Sequence, residues 1–436
     1  MYEIIIGRTE AEKRRLGLEG TIFLGKHYVK MGNTATFSNK VYMDISKSHV
    51  VLISGKRGSG KSYSLGVIAE EMANLPEHIK DKIAVLLIDT MGIFWTMKYP
   101  NIKDEELLEE WNLTPKPLNI HLYAPKSYAQ KEREQGIPID YSFTIKPSEL
   151  TTTDWCTTLN IEEMSPLAIA IDRAKEKLEH KDFSIEEMIE TIQEDKKIEE
   201  QIKLAAENKL RTVNNWGIFS EEATPIKEII KGGQTTVLDI SQYKDWNVKN
   251  LVIGLIARKL FTERMAERKK EEIRDIQGGH SYFQTRTESG TEMPIAWIFL
   301  DECHESIPKE EKTPATDALV TILREGRQPG ISLVLATQQP GEIHKDVITQ
   351  SDLVISHRLT ARKDITALND MMQSYLFNDI QKYFNDLPKV KGGAIVLDDN
   401  AEKLFNIQVR PKFSWHGGEA PVAVKAKGRA AAELGL

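Results

Sequence analysis

The chain has 436 residues, 40% of them hydrophobic, and a formal charge of −7, so it can bury one large elaborated core or two domains. No apolar run approaches the roughly 18 residues of a membrane-crossing helix, and the opening MYEIIIGRTEAEKRRLG lacks a secretory-signal pattern, so a cytoplasmic chain without membrane contact is expected. Two cysteines, Cys156 and Cys303, exclude a disulfide framework or a cysteine metal cluster; the acidic balance gives no overall nucleic-acid signature, although a ring-shaped motor can confine its basic groups to a central channel.

In chain order, residues 1–49 hold two short alternating runs, TIFLGKHYV and KVYMDIS, around MGNTATFSN. They read as a hairpin, either a minimal N-terminal β-element or edge strands of a main sheet. Val50 to Ser62, VVLISGKRGSGKS, then gives an apolar strand ending at Ser54, a glycine-rich loop, and a helix from about Lys61. Gly55, Gly60, Lys61 and Ser62 fill the pattern G-x-x-x-x-G-K-[ST], whose backbone N–H groups and helix N-terminus can wrap a phosphate. Gly58, Ser59 and Tyr63 complete the candidate nucleotide-binding set. Lys61 would reach the β- and γ-phosphates, and Ser62 would hold Mg2+.

IAVLLID, Ile83 to Asp89, reads as a buried strand ending in a carboxylate. Asp89 either meets the nucleotide-metal water shell, faces a neighbouring subunit, or caps the next helix. Residues 100–158 hold several prolines and two short strand candidates, NIHLYAP and SFTIKP. From 161 to about 222 apolar residues recur at helical spacing among dense Glu and Lys, as in Ile185, Met188, Ile189 and Ile192; this predicts a helical insertion with one buried stripe. Residues 50–160 and 223–411 then form the two parts of the core, and 412–436 a flexible tail, aperiodic from Ser414.

TTVLDIS is the next strand, and Val248 to about Lys270 an amphipathic helix with a basic second half. Interspersed glutamates make pairing along the helix the simplest account of those cations. Asp275 to Met293 reads as a mobile loop. IAWIFLDE, Ile295 to Glu302, places two acids at the sheet edge that carries the phosphate loop. Asp301 can hold the Mg2+ shell and Glu302 can polarise the attacking water, since phosphoryl transfer is won by positioning and charge. Cys303 and His304 read as structural or weakly tuning.

Thr313-Pro314 predicts a helix start, and Pro329-Gly330 its stop. ISLVLATQQ follows as a buried strand. Gln338, at its carboxyl end, either senses the γ-phosphate and orients water, or is a satisfied strand-end amide. Arg327 is a candidate arginine finger for an adjacent subunit's site, or a helix-end cation placed by the dipole. DLVISHRL supplies a strand with Arg358 and Arg362 as secondary nucleotide or interface candidates, and GGAIVLDD with FNIQVRP a closing hairpin.

Together GKRGSGKS, VLLIDTMG, TTVLDIS, IFLDECH, REGRQPGISLVLATQQP, VISHRL and KGGAIVL, in that order across residues 50–411, resemble the HerA/FtsK branch of P-loop ATPases, most closely the HerA-like hexameric DNA translocases and helicases. The resemblance implies an α/β RecA-like core with a mostly parallel central sheet. It also implies a homo-hexamer with ATP and Mg2+ at subunit interfaces and double-stranded DNA through the pore. By that match Lys61, Ser62, Asp301 and Glu302 take the nucleotide and catalytic roles, Gln338 the sensor role and Arg327 the trans-acting finger. Relatives carry an N-terminal β-barrel that helps form the ring and docks a nuclease such as NurA. Residues 1–49 are too few for that barrel, so a different nuclease or effector, as in HerA-containing phage-defence assemblies, is the substitute expectation. A ring-forming regulatory ATPase that never translocates and a secretion- or conjugation-type ATPase are the alternatives.

Overall fold

The structure, a computed structural model, describes residues 3–31, 34–179, 181–279, 293–372, 380–387 and 391–419. Its strands are β1 (Ile4–Ile6), β2 (Thr21–Met31), β3 (Thr34–Asp44), β4 (Val50–Ser54), β5 (Ile83–Asp89), β6 (His121–Pro125), β7 (Tyr141–Phe143), β8 (Thr235–Asp239), β9 (Ile295–Leu300), β10 (Ile331–Thr337), β11 (Leu353–His357), β12 (Gly393–Asp398) and β13 (Lys403–Val409). Among the described residues they join one 13-stranded sheet in the order β1-β3-β2-β13-β12-β11-β4-β10-β9-β5-β8-β6-β7.

From β11 to β7 every neighbour pair is parallel. These strands lie between two layers, which is why they read as unbroken apolar runs rather than alternating ones. Leu52 of β4 belongs to the core on one face, and Val51 and Ile53 to the core on the other. Strands β12 and β13 close antiparallel, and β13 hands on to β2 and β3. Residues 4–44 therefore supply edge strands of the main sheet, and most of MGNTATFSN lies within β2 and β3 rather than between them.

One face of the sheet carries the phosphate-loop helix, Lys61–Ala73. Three helices of the 161–222 region cover part of the other: Pro166–Leu178, Ile185–Glu194 and Glu200–Asn214. Their starts are set locally. Ser165 accepts from the Ala168 N–H ahead of a proline, and Ser184 with Glu187 forms a reciprocal capping box. Ile171, Met188, Ile192, Leu210 and Val213 form the buried stripe.

Several boundaries differ from the sequence reading. The helix from Trp246 runs to Gly279, so Asp275 to Gly279 is helical; the rest of the expected loop, 280–292, lies outside the described residues. The helix expected at Thr313-Pro314 begins at Thr316, because the Thr313 hydroxyl caps a preceding turn, accepting from Ala315 and donating to the Ser306 carbonyl. Lys412 to Ser414 is buried and Trp415 and His416 half-buried, rather than tail-like. The buried Glu70 carboxylate of the phosphate-loop helix collects N–H groups from Phe413 and Ser414, the Ser414 hydroxyl and the Arg410 guanidinium. Residues 420–436 of the expected tail lie outside the described ones.

Candidate nucleotide site

The site starts where β4 ends. Between Ser54 and Lys61 the chain turns through Gly58 and Gly60 with φ of +72° and +114°, angles that side chains other than glycine rarely adopt. Gly55 is required for a different reason. A Cβ there would strike Ser59 Oγ and His357 Cβ. Lys61 is buried inside the loop, where burial pushes its ammonium down from the usual lysine range, and among the described residues its Nζ has only a 3.5 Å contact to the Lys56 carbonyl. The first-turn N–H groups of the helix have no intrahelical partner, so they remain as phosphate donors.

A residue not singled out from the sequence props this loop. His357, at the end of β11, is fully buried between Ser64 Oγ (2.9 Å) and the Gly393 carbonyl (3.0 Å). Burial pulls its imidazole down to about 4, so a neutral ring couples the loop helix to the start of β12. The signal was present in VISHRL: alternation along β11 puts His357 on the face of Leu353 and Ile355.

The acids sit two strands from β4. Ser62 Oγ donates to Asp301 Oδ2 at 2.5 Å, and burial pushes the Asp301 carboxyl up against that hydrogen bond. Glu302 occupies the left-handed region at φ +51°, a costly conformation for a residue other than glycine. Its N–H bonds Asp301 Oδ1 at 2.9 Å, and its Oε1 accepts from Gln338 Nε2. Glu302 Oε2 is buried without a hydrogen-bond partner among the described residues, with His304 Nδ1 3.6 Å away. Gln338 directly follows Thr337, which is in register with Ser54.

Gly55, Gly58, Ser59, Gly60, Lys61, Ser62, Asp301, Glu302 and Gln338 thus converge. Other candidates do not. The Tyr63 side chain turns away: its hydroxyl accepts from the Lys412 N–H at 2.6 Å and its ring meets His416 edge-on, so only its backbone N–H faces the site. Asp89 clamps its own turn, accepting from the N–H groups of Met91, Gly92 and Phe94, and is not free for a metal shell. Burial and neighbouring Asp239 push its carboxyl up. Arg327 lies beyond the Thr316–Glu325 helix, next to the start of β10. That is the opposite sheet edge, roughly 20 Å from the acids at about 3.3 Å per strand residue. Its loop is fixed by the buried Arg264, which donates to the Pro329 and Met293 carbonyls and pairs with Glu271. Pairing along the helix accounts for Arg268, which meets Glu271 and Glu272, but not for Arg258 and Lys259, which meet Asp154 and Glu149 on other elements, nor for Arg264, which reaches Glu271 seven residues on.

The orphaned buried hydroxyl of Ser59 and the cradle kept open at Gly55 fit a triphosphate over the loop, and the orphaned Glu302 Oε2 fits a donor such as water beside it. Ser62 and Asp301 are hard oxygen donors suited to Mg2+, which would supply charge neutralisation of the β- and γ-oxygens when bound. The chain's own groups would do the rest: Lys61 neutralises phosphate charge, Gln338 orients, and Glu302 accepts a hydrogen bond from water.

A family model described as "Helicase HerA, central domain" matches residues 26–260, and one described as "Zonular occludens toxin (Zot)" matches 252–370. A Methanocaldococcus jannaschii protein named "Probable DNA double-strand break repair helicase HerA" is 24% identical over 387 residues, 79% of this chain and 69% of that protein. A "DNA double-strand break repair helicase HerA" of Sulfurisphaera tokodaii is 21% identical over 363 residues, 78% of this chain and 60% of the relative. The corresponding Pyrococcus furiosus protein is 26% identical over 179 residues, only 32% of its length. Among solved structures, VirB4 of Thermoanaerobacter pseudethanolicus superposes with a TM-score of 0.53 at 11% identity, covering 90% of this chain and 96% of VirB4. The conjugative coupling protein TrwB gives 0.50 at 10% identity, covering 97% and 96%. At these identities the likeness is one of fold, an α/β RecA-like P-loop ATPase core.

Proposed function

Since the chain belongs to the HerA helicase central-domain family and is a P-loop ATPase, we propose that it is a Mg2+-dependent homo-hexameric motor that translocates along or unwinds double-stranded DNA. A nuclease or other effector is its partner in DNA processing or phage defence. The observation that carries this reading is the convergence of the phosphate loop with Asp301, Glu302 and Gln338 on neighbouring strands. Arg327 at the far sheet edge supports a shared site: it is too distant for its own nucleotide, but in a ring that edge could face the next subunit's. Lys61, Ser62, Asp301, Glu302 and Gln338 would then be one half of an interface and Arg327 the other.

The test is ATP hydrolysis with and without duplex DNA, together with displacement of a triplex-forming strand and particle imaging of the protein with DNA. Stimulation by DNA, strand displacement and a six-fold ring with DNA in its pore are expected. Hydrolysis without displacement would instead favour a regulatory ring, and hydrolysis indifferent to DNA a secretion- or conjugation-type ATPase.

A further inference from the structure

Arg258, Lys259, Arg264 and Arg268 of the long helix Trp246–Gly279 meet carboxylates, but a second group of cations beside the phosphate loop does not. Lys56 and Arg57 project outward from the loop and are exposed, in contrast to the inward, buried Lys61. The Lys56 N–H donates to the Arg358 carbonyl at 3.0 Å, which ties the loop to the turn after β11. Arg358 is exposed and borders a cavity of about 280 Å3 with Leu359, Ile365, Phe384 and Asn385. Ile365 lies one turn into the helix Arg362–Met372, so Arg362, also exposed, stands at the same rim.

Among the described residues none of these four side chains has an ion pair or hydrogen bond. The acids on the adjoining elements are engaged elsewhere: Glu342 pairs with Lys363, and Asp364 accepts the Gly341 N–H. Arg362 also opens its helix, where the dipole disfavours a cation and favours an anion. In a chain of net charge −7, four unneutralised cations at one sheet edge form a local field of opposite sign.

We propose that Lys56, Arg57, Arg358 and Arg362 form a surface that holds the phosphate backbone of nucleic acid beside the nucleotide loop. This rests on the reading that the protein acts on DNA. The cations are spread over a loop, a turn and a helix start, which suits a row of phosphates rather than one triphosphate. Contacts from these cations to phosphates carry no base readout, so binding is sequence-independent. Coupling to the motor is direct, because Lys56 shares a hydrogen bond with the turn that carries Arg358.

The experiment measures anisotropy of a labelled random-sequence duplex on the full chain at several KCl concentrations. Each phosphate contact contributes about 0.9 to the slope of log affinity against log salt. The double variant Arg358→Ala/Arg362→Ala is expected to flatten the slope by about 2 and weaken binding roughly 10-fold or more near 0.1 M salt. Arg358→Lys/Arg362→Lys should keep the slope. An unchanged slope in the alanine variant overturns the proposal, as does a loss confined to nucleotide affinity measured without DNA. If the wild-type chain shows no salt-dependent DNA binding, the DNA reading falls and takes this surface with it.

Discussion

Gln338 holds one oxygen of Glu302 while the other stays buried and unpaired among the described residues. The proposed general base is thus fixed on one side and available on the other, on a residue already held at an unfavourable φ. Glu302→Gln should keep the bond to Gln338 but lose the capacity to polarise water. Phosphate release should fall about 10²–10⁴-fold with nucleotide affinity kept within a few-fold. Equal losses in affinity and turnover would argue for a binding role instead.

Lys61→Ala removes the one cation inside the loop. Nucleotide binding and hydrolysis should both fall to background, and the melting temperature without nucleotide should not fall, because burial disfavours the Lys61 ammonium and removing it relieves a desolvation cost. DNA-stimulated hydrolysis at the wild-type rate would sink the assignment of the site.

Arg327 is tested by subunit mixing. Arg327→Ala and Glu302→Gln chains, each inactive alone, should regain part of the activity when combined, because some interfaces then receive an intact acid edge and an intact arginine. A mixture no more active than its components would place Arg327 outside the shared site.

Two buried histidines set opposite limits on stability with pH. His49 sits between Asp352 Oδ2 at 2.6 Å and Asp44 Oδ2 at 3.2 Å; burial pulls its imidazole down, but these hydrogen bonds overcome it and hold the ring at about 9. Its folded value lies above the unfolded one, so its contribution is complete below about pH 6.5 and is lost as pH rises through 9. His357 is depressed to about 4; its contribution is present above about pH 6.5 and is lost as pH falls to 4. Each shift corresponds to ~3 kcal/mol. Urea unfolding across pH 4–10 should show His49→Gln losing the alkaline limb and His357→Gln the acid limb. Parallel curves for wild type and variants would contradict both assignments.

Gly55→Ala should weaken nucleotide binding and lower stability as well, since the added methyl would strike Ser59 Oγ and the Cβ of the buried His357. Titration with a fluorescent ATP analogue reads this directly. Wild-type affinity would mean the loop does not need its close approach to β11.

Much of this was legible because each signal is local. The strand-loop-helix at Val50–Ser62 and the apolar run closed by Asp301-Glu302 announce themselves through residue type and spacing. Strand order, by contrast, depends on pairing between distant segments. Nothing near Val50 says that β10 and β11 are its neighbours, so alternation in VISHRL marks His357 as inward-facing but not as a prop of the loop, and the link from Lys56 to Arg358 leaves no local sign. The 412–416 segment was misread for the same reason: its regularity comes from Glu70, far upstream, and leaves no period of its own.

That distance governs when the protein becomes competent during synthesis. Ser54 bonds Ser356 across 302 positions of the chain, and both strands flanking β4 are translated long after the loop they support. At about 5–20 residues per second, the phosphate loop would wait on the order of 15–60 s for its neighbours. A nascent chain would therefore expose an unpaired apolar strand in that interval and bind no ATP, so nucleotide reports on chains whose strands through β11 have already been made.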